Sequence, residues 1–540
     1  MPETRSLMSR ATAAAIGFEA VWRLLDPITP FGREARARAA PYFPGDELGL
    51  EAELERVDRA RAVLAAHVPQ ARSLAALLSE VKDVRGSVHR SQTGVTLDAV
   101  ELYEIKRLVG ICQELARRGA EPGWPAPAEL VPEYPDELAG ALDPSGRGDP
   151  AFYIDDSFSP VLESIRQDKR RCEQALGRER ARLKAAVEST LGLETGLQGE
   201  LVVSRADPRL EELAGSECLQ LTRETRAHLF FQLRPSPEQE ELESRLARLK
   251  EREFRAEARV RRRLSRQVSR HAAVLLRNME KLAQLDLLLA KARLGQRLQG
   301  SRPKILHAPG LLLTSARHPG VEESLRREGR RFTPVSVEVP GGAAVITGPN
   351  MGGKTVTLKT VALMVAMAQH GLLVPAAGME FSLCDFIFYS GPESGTSPGL
   401  SAFASEVRAL QWVLERKDQR GLVLLDEFAR GTNPAEGFAL AAALLAELSG
   451  PQLITLFATH FDGLAGLANT QHWQVRGLRG VLCEDALAGG ISWLQQHMDY
   501  RLEPAGAKNG TPRDALFVAS LLGLDRRVLA RAQRILEGEE

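Results

Sequence analysis

The sequence predicts a multidomain chain in which a long-helix, all-α region is followed by an α/β phosphate-loop domain. Three observations carry this expectation. Gly348 to Thr355 reads GPNMGGKT between a short apolar run and a helix-like segment; two later apolar runs end in polar residues; and much of the first three hundred residues places apolar side chains three and four apart. The expected boundaries are an N-terminal helical segment over 1–120, a Pro/Gly-rich linker or insertion over 121–150, a second helical region with long antiparallel helices over 151–300, and the α/β domain with a C-terminal helical segment over 301–540.

From about Asp46 to Gly119 the text is helical, as in the run Leu48 to Val57 with Leu50 and Leu54 between them. Residues 121–150 then hold seven prolines and four glycines, which excludes a continuous helix and predicts an irregular loop. Val161 to Ser189 reads as a helix and Leu201 to Arg205 as a strand. Glu238 to Leu298 is almost free of proline, and Leu242, Leu246, Leu249, Ala256, Val260 and Leu264 form a heptad-like seam that suits two long antiparallel helices joined at a tip. Between Arg245 and Arg277 twelve Arg or Lys stand against three Glu. Such a face either tracks nucleic-acid phosphates with salt-dependent affinity or is simply solvated, and with Phe254 as its aromatic exception it does not suit base stacking.

The α/β region carries the chemistry. Val339 to Thr347 ends in an apolar strand, and Val356 to Ala368 has helical spacing. Between them, Gly348, Pro349, Asn350, Met351, Gly352 and Gly353 form a loop whose glycines let backbone N–H groups turn around a polyphosphate. Lys354 reaches the β and γ phosphates, and Thr355 offers its hydroxyl to Mg²⁺. Gly421 to Leu425 is a second strand, ending in Asp426, a candidate holder of the same Mg²⁺, and Glu427, which would orient the attacking water. A third strand, Leu453 to Ala458, delivers Thr459 and His460 at its C-terminal end, where open parallel sheets place ligand groups; His460 is a candidate γ-phosphate sensor. Gly399 to Val407 reads as a helix start, with Ser401 as an N-cap.

Composition adds bounds. Lys plus Arg equals Asp plus Glu at 70 each, so no global charge bias points to nucleic acid, although local patches survive a neutral total. The five cysteines, Cys112, Cys172, Cys218, Cys384 and Cys483, are dispersed and odd in number; this favours a reducing, cytoplasmic setting over a disulfide or zinc framework. The apolar run Ala11 to Gly17 is too short for a signal or membrane segment.

These residues resemble the MutS ATPases of DNA mismatch repair. Thr347 to Lys354 is similar to that family's form of the loop, including Asn350 and Met351; Gly371 to Ala376, Asp426 to Thr432, Phe457 to Phe461, and Ala316 to Pro319 followed by Phe332-Thr333-Pro334 resemble its further motifs. The resemblance implies an ABC/MutS-type fold, ATP with Mg²⁺, and Phe332 packed on adenine. It also implies a homodimer in which Ser401 faces a γ-phosphate held by the other protomer, with Asp514 to Glu537 similar to the segment that clasps the partner. Long helices such as Leu285 to Leu294 would carry ATPase state to a distant clamp on double-stranded or branched DNA. None of the 18 phenylalanines has Glu two positions later, so the mismatch-reading wedge and its domain are not expected. Two client classes stay open: DNA, or a protein, as in the MutS-like branch associated with reactivating cobalamin-dependent aminomutases.

Overall fold

The structure is a computed structural model of the 540-residue chain, and it describes residues 5–146, 153–192, 194–196, 200–349, 352–391, 402–430, 432–461, 463–466, 470–477, 498–505, 516, 519–520 and 523–537. Asn350, Met351 and Ser401 lie outside them, as does Asp514 with part of the segment that follows it. Among the described residues, mixed helical and α/β structure with three sheets is divided between two compact units.

One unit comprises residues 82–114 and 133–278. Its frame is a pair of long helices, Pro160–Leu191 and Pro237–Arg270. Each begins with a serine cap and a proline in its first turn: Ser236 Oγ accepts from Gln239 N at 3.1 Å, and Ser159 occupies the same place in the other helix. The two run antiparallel, because Arg166 on the first bonds Glu253 and Glu257 on the second while Arg180, further along, bonds the earlier Glu243. Leu249, Ala256, Val260 and Leu264 are buried along this seam, with Leu162, Ile165, Cys172 and Leu176 on the facing helix; Leu242 and Leu246 are half-buried. The helix that packs on this seam lies upstream in the chain.

The connection between these helices holds the strand read at Leu201 to Arg205 and two more, so the region is not all-α. Strands β1 (Glu200–Ser204), β2 (Leu219–Glu224) and β3 (His228–Leu233) form an antiparallel sheet in the order β1-β3-β2. The alternation in β1 and β3 puts Leu201, Val203, Leu229 and Phe231 on one buried face. Within the described part of the Pro/Gly-rich stretch, Asp136–Leu142 is a helix with Asp136 and Glu137 in its first turn, and Leu138 and Leu142 fully buried.

The other unit comprises residues 1–81, 115–132 and 279–540. Strands β4 (Lys304–Leu306), β5 (Leu311–Ala316), β6 (Val335–Val339) and β8 (Gly378–Ser382) make a four-stranded sheet in the order β4-β8-β5-β6. A six-stranded sheet runs β13-β12-β7-β11-β10-β9 and is built from β7 (Gly342–Thr347), β9 (Phe386–Ser390), β10 (Gly421–Asp426), β11 (Leu453–Ala458), β12 (Gln471–Gly477) and β13 (Asp499–Pro504). Strands β9, β10, β11, β7 and β12 are parallel, and β13 is an antiparallel edge.

Both faces of the parallel sheet are covered, which is why its strands read as unbroken apolar runs. Ala344, Ile346, Leu422, Leu424 and Leu456 pack toward the helix Lys354–Gln369, while Ala343, Val345, Val423, Leu425 and Phe457 pack on Leu410 and Val413 of the helix Ala402–Leu414 and on Ala441 and Leu445 of the helix Pro434–Glu447. Helix Lys354–Gln369 shares its core with Leu313, Val337 and Phe381 of the four-stranded sheet, so thirteen of its sixteen residues are buried and it shows no polar face. Among the described residues no helix is long and apolar enough to cross a membrane.

Candidate functional site

The register of the parallel strands sets the site. Ala458 pairs with both Asp426 and Ile346, so β7, β10 and β11 end level, and the residues that follow them emerge from one edge of the sheet. From β7 the chain enters the loop through Gly348, whose φ of 144° and lack of a side chain are both used: a Cβ there would lie 2.8 Å from Val475 Cβ on β12. It leaves through Gly353 at φ 82°, the residue before the helix Lys354–Gln369. The first-turn amides of that helix have no intrahelical acceptors, so this end can receive an anion.

Lys354 is 3 % exposed, and its ammonium donates to the carbonyls of Gly348 at 2.8 Å and Pro349 at 3.1 Å. Burial pulls the ammonium below the usual lysine range, opposed by the charges of Glu427 and Asp426. Thr355 Oγ1 donates to Asp426 Oδ2 at 2.6 Å. Asp426 is 2 % exposed, its other oxygen is buried without a hydrogen-bond partner, and burial raises its carboxyl above the usual range against the Thr355 hydrogen bond. A buried acceptor left unmatched costs about 1–3 kcal/mol and marks a place where a further group belongs. A threonine hydroxyl beside two carboxylate oxygens is a hard-oxygen donor set, which suits Mg²⁺.

Glu427 follows at φ 56°, left-handed and non-glycine, and is 8 % exposed. Its Oε1 is 3.6 Å from Lys354 Nζ, and its Oε2 accepts from Arg430 at 2.9 Å. The turn is braced from the helix Ala402–Leu414, where Glu406 accepts from the amide of Ala429 and burial raises its carboxyl. At the end of β11, Thr459 is buried and its hydroxyl accepts from Phe461 N at 3.0 Å, while His460 is exposed with its ring 4.6 Å from that of Phe461.

Beside the loop, Phe332, Val335, Val356 and Tyr500 line a cavity of about 220 Å³ that reaches Gly353. The structure thus brings together Gly348, Pro349, Gly352, Gly353, Lys354, Thr355, Asp426 and Glu427, sets Phe332 next to them across this cavity, and leaves His460 on the same sheet edge. Two residues without a signal in the sequence join them: Tyr500 of β13, whose ring would touch a Cβ at Gly353 at 3.2 Å, and His472 of β12, whose Nε2 is 2.8 Å from Thr347 Oγ1. A larger cavity of about 400 Å³ is lined by Leu64, His67, Arg118 and Trp124 and by none of the residues above.

Residues 344–538 match the family MutS domain V. Proteins named endonuclease MutS2 are similar over most of the chain: that of Geobacillus thermodenitrificans is 31 % identical over 519 residues, covering 93 % of this chain and 62 % of its own, and that of Thermomicrobium roseum is 32 % identical over 533 residues with the same shares. The Geobacillus sp. protein is 29 % identical over 508 residues, covering 90 % of this chain and 60 % of its own. The chain therefore spans about three-fifths of the length of the curated relatives it matches. With a matched domain V that includes Gly348 to Thr355, Asp426 and Glu427, and with this likeness along nearly all of its length, the comparisons support a MutS-family protein.

Proposed function

We propose that the chain is a Mg²⁺-dependent ATPase of MutS type, with a P-loop arrangement in the α/β part of the unit containing residues 279–540, and that it couples nucleotide turnover to binding of double-stranded or branched DNA. The observation that carries this is the Thr355–Asp426 hydrogen bond beside the buried Lys354, with Asp426 Oδ1 lacking a partner. Thr355 and Asp426 would hold Mg²⁺, which would draw charge from the β and γ phosphates. Lys354 would exchange the Gly348 and Pro349 carbonyls for phosphate oxygens, and the loop amides would receive the remaining charge. Glu427 would orient water for in-line attack, with His460 close to the γ-phosphate. Phe332 and Tyr500 would sandwich the base in the cavity between them.

The family likeness supports a homodimer in which Ser401 completes the partner's site. A second observation agrees: in the helix Arg526–Glu537, Val528 and Ile535 lie seven residues apart on one side, and both are exposed. A second protomer would cover this stripe. For DNA, eleven of the twelve Arg and Lys between Arg245 and Arg277 are exposed and Arg261 is half-buried, leaving a cationic helix face with few carboxylates.

The deciding experiment is steady-state ATP turnover at low and moderate salt, with and without homoduplex, mismatched and four-way-junction DNA. Stimulation that weakens with salt is the expected result. Turnover indifferent to every DNA would remove the DNA part and leave an ATPase acting on a protein; absence of turnover would remove the ATPase itself.

A further inference from the structure

Resting on the ATPase reading above, we infer that Arg430 is a positioning residue, which keeps the Glu427 carboxylate aimed after nucleotide has drawn Lys354 away from it. The two oxygens of Glu427 face different cations, Oε1 toward Lys354 Nζ at 3.6 Å and Oε2 toward Arg430 Nη1 at 2.9 Å. These contacts have different futures. Lys354 sits inside the phosphate loop on the Gly348 and Pro349 carbonyls, where an entering polyphosphate carries more negative charge than one carboxylate and competes directly for the ammonium. Arg430 stands outside the loop, and its side chain is 63 % exposed, so an entering polyphosphate does not take its place.

The backbone is shaped to bring Arg430 back onto Glu427. Glu427 at φ 56° and Ala429 at φ 63° are both left-handed without being glycine, and Arg430 N donates to Glu427 O at 3.2 Å, closing a four-residue turn. Ala429 is in turn held by Glu406. A buried carboxylate that must orient water needs a fixed direction, and misplacement by about 1 Å costs on the order of 100-fold in rate. With Lys354 engaged on phosphate, Arg430 Nη1 is the contact that supplies it.

The test compares Arg430→Ala, Arg430→Lys, Glu427→Gln and the double variant Arg430→Ala/Glu427→Gln, reading single-turnover ATP hydrolysis and equilibrium binding of the fluorescent analogue mant-ATP. Arg430→Ala is expected to slow hydrolysis roughly 10- to 100-fold, with mant-ATP binding changed less than about twofold, and Arg430→Lys to recover part of the rate. In the Glu427→Gln background the Arg430→Ala loss should disappear, since a residue acting through Glu427 has nothing left to position. A loss that persists in full in that background, or one matched by an equal loss of mant-ATP binding, overturns the inference in favour of general structure or a direct phosphate contact. Wild-type turnover with an unimpaired Arg430→Ala variant sinks the inference alone, whereas a wild-type protein without turnover sinks the ATPase reading beneath it.

Discussion

Thr355 and Asp426 are joined by a 2.6 Å hydrogen bond that ties the first turn of the helix Lys354–Gln369 to the end of β10. It satisfies one carboxylate oxygen and leaves the other buried without a partner, so an ionised Asp426 is a liability to the fold. Its raised carboxyl contributes stability fully present below the unfolded value near 3.9 and lost as pH rises through the folded one. Asp426→Asn is expected to raise the thermal midpoint at pH 7, by up to about 1 kcal/mol of stability, while abolishing Mg²⁺-dependent turnover. The midpoint difference should narrow as pH is lowered. Thermal scans from pH 7 down toward the ordinary carboxylate range check it; an Asn variant less stable than wild type at every pH would show that Asp426 is stabilising in its own right.

Lys354 and Glu427 lie 3.6 Å apart but should fail in different ways. Lys354→Ala removes charge-assisted contacts to phosphate, and ATP affinity is expected to fall about 10- to 100-fold. Glu427→Gln keeps the shape and loses the water-orienting carboxylate, so ATP binding should persist while turnover falls roughly 10²- to 10⁴-fold. ATP-dependent thermal shifts and product formation, measured on both variants, separate these outcomes. Wild-type turnover in both would place the chemistry elsewhere.

Phe332 and Tyr500 frame the cavity beside Gly353, one arriving just before β6 and the other on β13. Base–aromatic stacking is worth about 1–3 kcal/mol by alanine substitution. Phe332→Ala and Tyr500→Ala should each weaken ATP binding correspondingly, and Tyr500→Phe should leave it nearly unchanged because the ring supplies the contact. Binding titrations on the three variants decide this. If Tyr500→Phe is as weak as Tyr500→Ala, the hydroxyl rather than the ring holds the nucleotide.

The contrast between Phe332 and Tyr500 shows where local sequence stops being informative. The loop, β7, β10 and β11 were legible because each is a buried apolar run with glycines or carboxylates at its end, and their parallel order brings those ends level without further information. Tyr500 and His472 arrive from β13 and β12, on the far side of β7; β12 pairs with β7 across more than a hundred residues and β13 is placed only through β12, so neither leaves a local mark. The long helix Pro237–Arg270 was visible from its seam, but its mate was decided by the ion pairs of Arg166 and Arg180 with Glu253, Glu257 and Glu243, sixty to ninety residues apart. Likewise the prolines of residues 121–150 concealed Leu138 and Leu142, whose four-residue spacing matters only because the seven-residue helix they occupy is packed on both counts.

His370 caps the far end of the helix that Lys354 begins. Its ring lies 4.6 Å from Phe18 and 5.2 Å from Trp22, and its Nδ1 is 2.7 Å from Ala366 O, so the neutral tautomer carries its proton on Nδ1. Burial pushes the imidazole down to about 4, the hydrogen bond to Ala366 opposing this and the Lys291 ammonium adding to it. The sign follows: from pH 6.5 downward the unfolded chain takes up a proton that the folded one refuses until about pH 4. Stability is therefore complete above 6.5 and falls across that window, by on the order of 3 kcal/mol. Replacement by an aromatic of similar size, His370→Phe, should flatten this acid branch while costing the Ala366 hydrogen bond at neutral pH. Urea unfolding of both proteins at pH 7, 6 and 5 measures it, and parallel acid branches would show that other groups, not His370, govern the loss.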